Sequence, residues 1–231
     1  ARGGWWIPSG RPILLEDGES AGQARERFYT PVAYADQFGE IIRVRYAGDT
    51  WMVLNEVENP FGETVTIEAF DPFTLQPTVL RDINGNLSAA VYDETGMTKA
   101  QAVMGKGDEA DRIDGIAAGS SEDEDELVRR FFRATEWDEV ESLAKTLLGG
   151  ASERYVADYD AWTREGKPAR SATIRRERHF KEAPDSPIQI AISYSNGLGN
   201  IILSKNQAEP DPQDPARTVR WIGNGRTVVN N

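Results

Sequence analysis

Cysteine is absent from this chain of 231 residues, and His179 is its single histidine. Without cysteine neither a disulfide framework nor a thiolate metal site can form, and one histidine excludes multi-histidine metal sites. Ser171 or Ser193 could be combined with His179 into a hydrolase triad, but no nucleophile-elbow sequence supports one. We therefore predict no catalytic, cofactor-binding or metal-binding residues and a protein that is not an enzyme. A hydrolase that uses a pair of the abundant carboxylates is the remaining enzymatic alternative.

Long apolar runs are absent too, so we expect no direct insertion into a membrane. The net charge of −12 disfavours general attraction to nucleic acid or to an anionic membrane. Residues 164–181 are an exception, with seven Lys or Arg against two Glu. Because aromatic residues are not interleaved with these cations at stacking distance, we expect no nucleic-acid binding. The segment is expected to pair with acidic neighbours across a sheet or a subunit seam.

Acidic residues concentrate in the segment 106–126, which holds nine acids against two cations. The run Glu122–Glu126 within it lacks the alternating ligands, central glycine and terminal glutamate of a calcium loop. Acids in the first turn of a helix interact favourably with the helix dipole. The run is therefore expected to begin a helix.

A repeated pattern dominates the stretch from Tyr34 to Met104. Its three copies are Asp36–Gly39, Asn59–Gly62 and Asp82–Gly85, and successive glycines stand 23 residues apart. The Asp or Asn three residues before each glycine can bond its own backbone and start a turn, and an alternating apolar run follows each glycine. Each copy therefore predicts strand, tight turn and strand, and a fixed period of this size is typical of repeat architectures.

A fourth, isolated copy follows the alternating residues from Ile188 to Tyr194 and ends at Gly199. In the third copy, Asn84-Gly85 is the dipeptide that type I′ hairpins favour, so positive φ is expected at both residues. Repeats of this kind build a surface with no reactive group at a fixed place, which favours a structural role over catalysis.

A short pair of helices is expected to interrupt the β pattern. Ser121 with Glu124 fits a capping box, and Thr135 with Asp138 resembles a second one. Apolar residues then recur at helical spacing as far as Gly149. We expect the apolar face of this pair to dock on the adjacent sheet, with membrane or partner binding as the alternative.

The predicted fold class is mainly β, in three parts. A β-hairpin repeat block covers residues 1–107, an acidic loop and helical insertion cover 108–150, and β-strands continue over 151–231. In the last part we predict a strand from Thr173 to Phe180, a loop at Glu209–Pro215 and a final hairpin within residues 219–229.

These motifs resemble two related groups of proteins. The stretch Gly85–Gly96, with its final Tyr92-Asp93-Glu94-Thr95-Gly96, resembles the YD (Rhs) repeat. Nearly the whole chain resembles the B component of bacterial insecticidal toxin complexes, the Tc toxins, a group of SpvB-, TcaC- and TcdB-like proteins. The stretches that carry this second resemblance are spread from end to end: Trp5–Arg11, Phe28–Val32, Leu75–Pro77, Ala102–Lys106 and Trp221–Asn231.

The resemblance implies antiparallel hairpin repeats that form part of a hollow Rhs/YD-repeat shell, with a short helical insertion. It implies a non-enzymatic structural segment of a toxin-encapsulating β-shell, which helps to enclose and deliver a cytotoxic payload in a secreted or cell-surface toxin complex. The implied partners are the remaining shell segments, a C-component-like toxin subunit, the enclosed toxin polypeptide and a pore-forming A component. No cofactor is implied.

The alternative function is a YD-repeat surface adhesin or carbohydrate-binding module. Its support is the aromatic content and the pair Trp5-Trp6, because adjacent residues of a strand point to opposite faces and one of the two rings could bind sugar. Specific sugar binding would favour this alternative, whereas co-purification with a toxin partner would favour the shell segment.

Overall fold

The fold is mainly β, as predicted. The computed structural model describes residues 9–48, 51–107, 109–119, 121–208 and 220–227. Within these residues there are thirteen strands and four helices. The strand order in the sheet is the order of the sequence, and every pair of strands whose register is described is antiparallel.

The chain divides into two compact units, Ala1–Leu87 and Ser88–Asn231. The first contains β1 (Arg11–Ile13), α1 (Ala21–Glu26), β2 (Ala33–Ala35), β3 (Ile41–Tyr46), β4 (Leu54–Glu58), β5 (Thr64–Phe70) and β6 (Pro77–Arg81). Strand β7 (Leu87–Tyr92) begins at the last residue of the first unit. The second unit continues with β8 (Thr98–Gly105), α2 (Glu122–Arg133), α3 (Trp137–Leu148), β9 (Glu153–Asp158), α4 (Ala161–Glu165), β10 (Ala169–Arg176), β11 (Ile188–Ser195), β12 (Ile201–Ala208) and β13 (Arg220–Asn224).

The predicted hairpin turns are present, and the loop that follows β6 shows their geometry. Asp82 Oδ1 accepts hydrogen bonds from the backbone N–H of Asn84 at 2.9 Å and of Asn86 at 2.8 Å. The backbone closes the loop with bonds from Asp82 N to Asn86 O and from Gly85 N to Asp82 O. Hydrogen bonds from the Asn86 side chain and from these amides lower the pKa of Asp82, because they favour its charged form.

The same arrangement occurs in the other two predicted copies, in the isolated copy and in the Tyr-Asp-x-x-Gly stretch. The five loops begin at Asp36, Asn59, Asp82, Asp93 and Asn196.

The expected type I′ turn is wrong. Gly85 has φ +80°, but Asn84 is not among the described non-glycine residues with positive φ. The loop therefore needs one left-handed residue, not two. The physical reason is the Asp82 side chain, which accepts hydrogen bonds from both Asn84 N and Asn86 N. These two bonds need a loop longer than the two residues of a type I′ turn.

The first unit has a charged face and an apolar face. Across β3 and β4, Arg43 lies opposite Glu58, and Arg45 lies opposite Glu56 and pairs with it. On the alternate positions Val44, Val57 and Val65 are neighbours on successive strands. This alternation is the period of two that the repeats predicted.

Helix α1 lies between β1 and β2 of the first unit. Ser20 and Gln23 form a reciprocal capping box at the start of α1. The buried Arg27 follows the helix, pairs with Glu19 and donates to Leu14 O at 2.8 Å.

The core of the second unit forms where the helical insertion docks on the sheet, as predicted. Val128 and Phe131 of α2, together with Val140, Leu143, Ala144, Leu147 and Leu148 of α3, are all buried. They pack in one cluster with Ala100, Val156, Ala172, Ile174, Ile188 and Ile190 of the strands. Burial of a side chain of this size contributes roughly 1.5–3 kcal/mol, so this contact holds the helices in place.

Some predicted boundaries are wrong. Helix α3 begins after Glu136 without a side-chain cap, because Ala134 is extended and Thr135 therefore lies before the helix. Strand β10 ends at Arg176, short of Phe180, because the N–H groups that follow bond to Pro187 O, Ser186 Oγ and Asp111 Oδ1 instead of along a regular ladder. Ser121 does cap α2, accepting from Glu124 N at 3.2 Å.

Several sequence predictions lie outside the described residues. They concern the Trp5-Trp6 pair, the loop Glu209–Pro215 and the end of the final hairpin after Thr227. The division into parts 1–107, 108–150 and 151–231 stays a prediction.

Replacing Gly85 by valine should lower the free energy of unfolding by about 2 kcal/mol, because a β-branched residue resists positive φ. The space around Gly85 is open, so no steric clash contributes to this cost. Gly197→Ala is the matched control: Gly197 also lies in a loop with open space, and its φ is outside the left-handed region. Urea unfolding of both variants measures the difference, and an unaltered Gly85→Val protein would contradict the loop geometry.

Candidate functional site

A groove of about 740 Å³ lies in the second unit. It opens where β8 and β9 part. Their ladder consists of two residue pairs, Ala100 with Arg154 and Gln101 with Glu153. Strand β9 continues to Asp158 and stays paired with β10 over that length. The groove therefore lies between Met97–Lys99 on one side and the end of β9 on the other.

A cluster of buried charges lies at the base of the groove. Lys99 Nζ is 3.0 Å from Glu124 Oε2 and donates to the backbone oxygens of Ala117 at 3.0 Å and Gly119 at 2.9 Å. Arg154 pairs with the other oxygen of Glu124 and donates to Lys99 O at 3.1 Å. Burial lowers the pKa of Arg154, an effect that the nearby Glu124 charge opposes. Glu124 is therefore the single carboxylate that neutralises two buried cations in this cluster.

A second charge cluster borders the groove at the end of β9. Asp158 accepts from Arg164 at 2.7 Å and from Arg170, directly opposite on β10, at 2.8 Å. Burial raises the pKa of Asp158, but the hydrogen bonds and charges of Arg164 and Arg170 outweigh burial and lower it. Hydrogen bonds from Arg133 and then Lys167 lower the pKa of Glu165 to about 2.

Residues of the basic segment 164–181 pair with acidic neighbours across the sheet, as predicted. Besides the pair of Arg170 with Asp158, Arg175 lies opposite Glu153 on β9, and their charged atoms are 2.9 Å apart. Fixed pairs of this kind hold adjacent strands in register.

His179 is placed beside a buried acid, away from the serines considered for a triad. Its Nδ1 lies 3.0 Å from Asp111 Oδ2, and the Ser152 hydroxyl donates to the same oxygen at 2.5 Å. Asp111 also accepts from the backbone of Phe180 at 2.6 Å. Ser152 Oγ in turn accepts from Val103 N at 2.8 Å. Because Ser152 donates to the aspartate and not to the histidine, the geometry differs from that of a nucleophile activated by a base.

Ser171 and Ser193 lie opposite each other on β10 and β11. No group of three or more His, Asp or Glu side chains in the described ranges is placed to hold a metal ion. No helix in those ranges is long and apolar enough to cross a membrane. The groove is lined by hydrogen-bonding and acidic side chains, which suit a binding site.

Glu124→Gln should lower the free energy of unfolding by about 3 kcal/mol, because it leaves Lys99 and Arg154 buried without a neutralising charge. Glu126→Gln is the matched control on the same helix. Its side chain is 54% exposed and 3.6 Å from Arg129, so its loss should cost less than about 0.5 kcal/mol. Equal costs in chemical denaturation would show that the buried cluster does not stabilise the second unit.

The Glu165 carboxylate should make stability depend on pH between 4.5 and about 2. A lowered pKa means that its stabilising effect is present above the unfolded pKa and is lost as pH falls through the folded value. Thermal melts of Glu165→Gln across this window should show a shallower fall in melting temperature than the wild type. Glu122→Gln, at an exposed residue of α2, should keep the wild-type slope. An unchanged slope in Glu165→Gln would contradict the assignment.

Comparisons of the chain with protein-family profiles and with curated protein sequences give no match. Among solved structures, the crystal structure of TcdB2-TccC3 matches 96% of this chain with a TM-score of 0.63 and 17% sequence identity. The crystal structure of TcdB2-TccC3 without its hypervariable C-terminal region matches 96% of the chain with a TM-score of 0.61 and 12% identity.

The chain spans 11% and 14% of the lengths of the two matched chains. At such low identity the likeness concerns the fold. It confirms in the fold the resemblance to the Tc toxin B component that the sequence motifs indicated. The chain has the fold of a segment of the TcdB2-TccC3 structure.

Proposed function

We propose that this chain is a non-enzymatic structural segment of a toxin-encapsulating β-shell, similar to that of the Tc toxin B component. Its role is to help enclose and deliver a cytotoxic payload. The observation that carries the proposal is the meander of antiparallel strands in sequence order, whose fold matches a segment of TcdB2-TccC3.

The physical support comes from how such a sheet grows. Each hairpin pairs with the hairpin before and after it, so the sheet lengthens without rearranging what precedes it. The hairpin loops carry turn residues instead of reactive groups. A chain that covers about a tenth of the matched length supplies part of a wall, and further segments of the same kind complete it.

The proposed partners are the remaining shell segments, a C-component-like toxin subunit, the enclosed toxin polypeptide and a pore-forming A component. The proposed location is a secreted or cell-surface toxin complex. Both follow from the same resemblance and share its test.

The test is a graft of this chain in place of the matched segment of the TcdB2-TccC3 complex. We expect the chimera to assemble and to protect the hypervariable C-terminal region from added protease. The parent complex, measured in parallel, calibrates the degree of protection. A second graft that carries Gly85→Val should assemble poorly, whereas one with Gly197→Ala should behave as the unsubstituted graft. Assembly with an unprotected C-terminal region would contradict a role in the wall.

The adhesin or carbohydrate-binding alternative depended on Trp5 and Trp6, which lie outside the described residues. A glycan array with the whole chain tests it. Specific sugar binding that is lost in Trp5→Ala or Trp6→Ala would replace the shell proposal by this alternative.

A further inference from the structure

The gap between β8 and β9 interrupts a sheet whose other described ladders are longer. Beyond Arg154 the β9 residues Tyr155–Asp158 have no described partner on β8, although they remain paired with β10 on their other side. In an antiparallel pair, alternate residues direct both N–H and C=O to the same neighbour. Two of these four residues therefore direct backbone donors and acceptors into the groove.

The charge cluster of Lys99, Glu124 and Arg154 lies at the end of this ladder. The Arg154 side chain donates to Lys99 O, and Lys99 Nζ donates to backbone oxygens of the loop before α2. Glu124 at the start of α2 joins both cations. These contacts join Lys99 of β8 and Arg154 of β9 to the helical insertion, at the point where the described β8–β9 ladder ends.

The dimensions of the groove suit an extended peptide. The open edge of β9 covers four residues, which at the rise of a strand is about 13 Å. The volume of about 740 Å³ lies in the range typical of ligand sites. An added strand could bond to the open backbone groups of β9 in the way that peptides extend an exposed sheet edge.

The charges of the groove select among peptides. Its lining contains five acids against three cations: Asp93, Glu124, Asp125, Asp158 and Asp160 against Lys99, Arg129 and Arg164. Lys99 and Arg164 are already paired with Glu124 and Asp158. Asp125 and Asp160 are both exposed, and Asp125 is 4.0 Å from Arg129. A peptide with Lys or Arg side chains complements this lining.

We propose that the groove binds an extended basic peptide segment, which adds a strand to the open edge of β9 and places cationic side chains near Asp125 and Asp160. This site does not depend on the shell function, because a wall segment needs no ligand in the gap and a peptide site needs no wall.

The test uses the whole chain and a synthetic peptide, acetyl-Thr-Lys-Val-Lys-Val-Thr-amide. Two control peptides accompany it, one with alternate backbone nitrogens methylated and one with Glu in place of Lys. Amide shifts of Tyr155–Asp158 in two-dimensional NMR report the site, and fluorescence anisotropy of labelled peptide reports affinity. We expect the basic peptide to shift these amides and both controls to bind at least tenfold more weakly.

Two protein variants separate the effect of the carboxylates in the groove from the effect of charge elsewhere on the protein. The double variant Asp125→Asn with Asp160→Asn should bind about fivefold more weakly, since each exposed charge contact contributes modestly. Neither carboxylate belongs to the buried clusters, so the fold should be kept. Asp17→Asn, at an exposed residue of the first unit, changes the net charge without touching the groove and should bind as the wild type.

Two results would overturn the proposal. One is the absence of binding at millimolar peptide, which would mean that the groove holds solvent only. The other is equal binding of the basic and methylated peptides, or binding unaffected by the double variant, which would mean that general attraction to an acidic protein explains the signal.

Discussion

An Asp or Asn side chain that accepts two backbone N–H groups is the interaction on which the strand meander depends. It occurs at five described loops, each of which then needs one glycine with positive φ. The side-chain oxygen satisfies amides that the reversal of the chain removes from the ladder, so a tight loop can close without buried partners. Because these five loops are closed locally, the strands that each of them joins pair in the order in which they occur.

Charge pairs perform a different task in the second unit. Pairs across β9 and β10 fix the register of neighbouring strands, whereas the Lys99–Glu124–Arg154 cluster joins strands to the helical insertion. The insertion covers one part of the sheet with an apolar core. Residues of α2 also line the groove beside the β8–β9 ladder. Two members of the same cluster, Lys99 and Glu124, line the candidate binding site.

Local features could be predicted from the sequence, and long-range ones could not. The three spaced glycines and Asn196–Gly199 indicated the hairpins because a loop of this kind is encoded within five residues. Helix α1 was missed because it has six residues, although the Ser20–Gln23 capping box was a visible signal. The pairing of Lys99 and Arg154 with Glu124 had no local signal, since 25 and 30 residues of chain separate the partners. Asp111 and His179 are further apart still.

The most direct test of the account is hydrogen exchange at the backbone amides that donate hydrogen bonds to the Asp and Asn side chains. These amides belong to the residues that directly follow the glycine of each loop: Glu40, Glu63, Asn86, Met97 and Asn200. If side-chain closure of each hairpin organises the meander, all five should exchange far more slowly than free amides, at rates set by opening of the neighbouring strands. Exchange of the five at the rate of an unstructured loop would contradict the account.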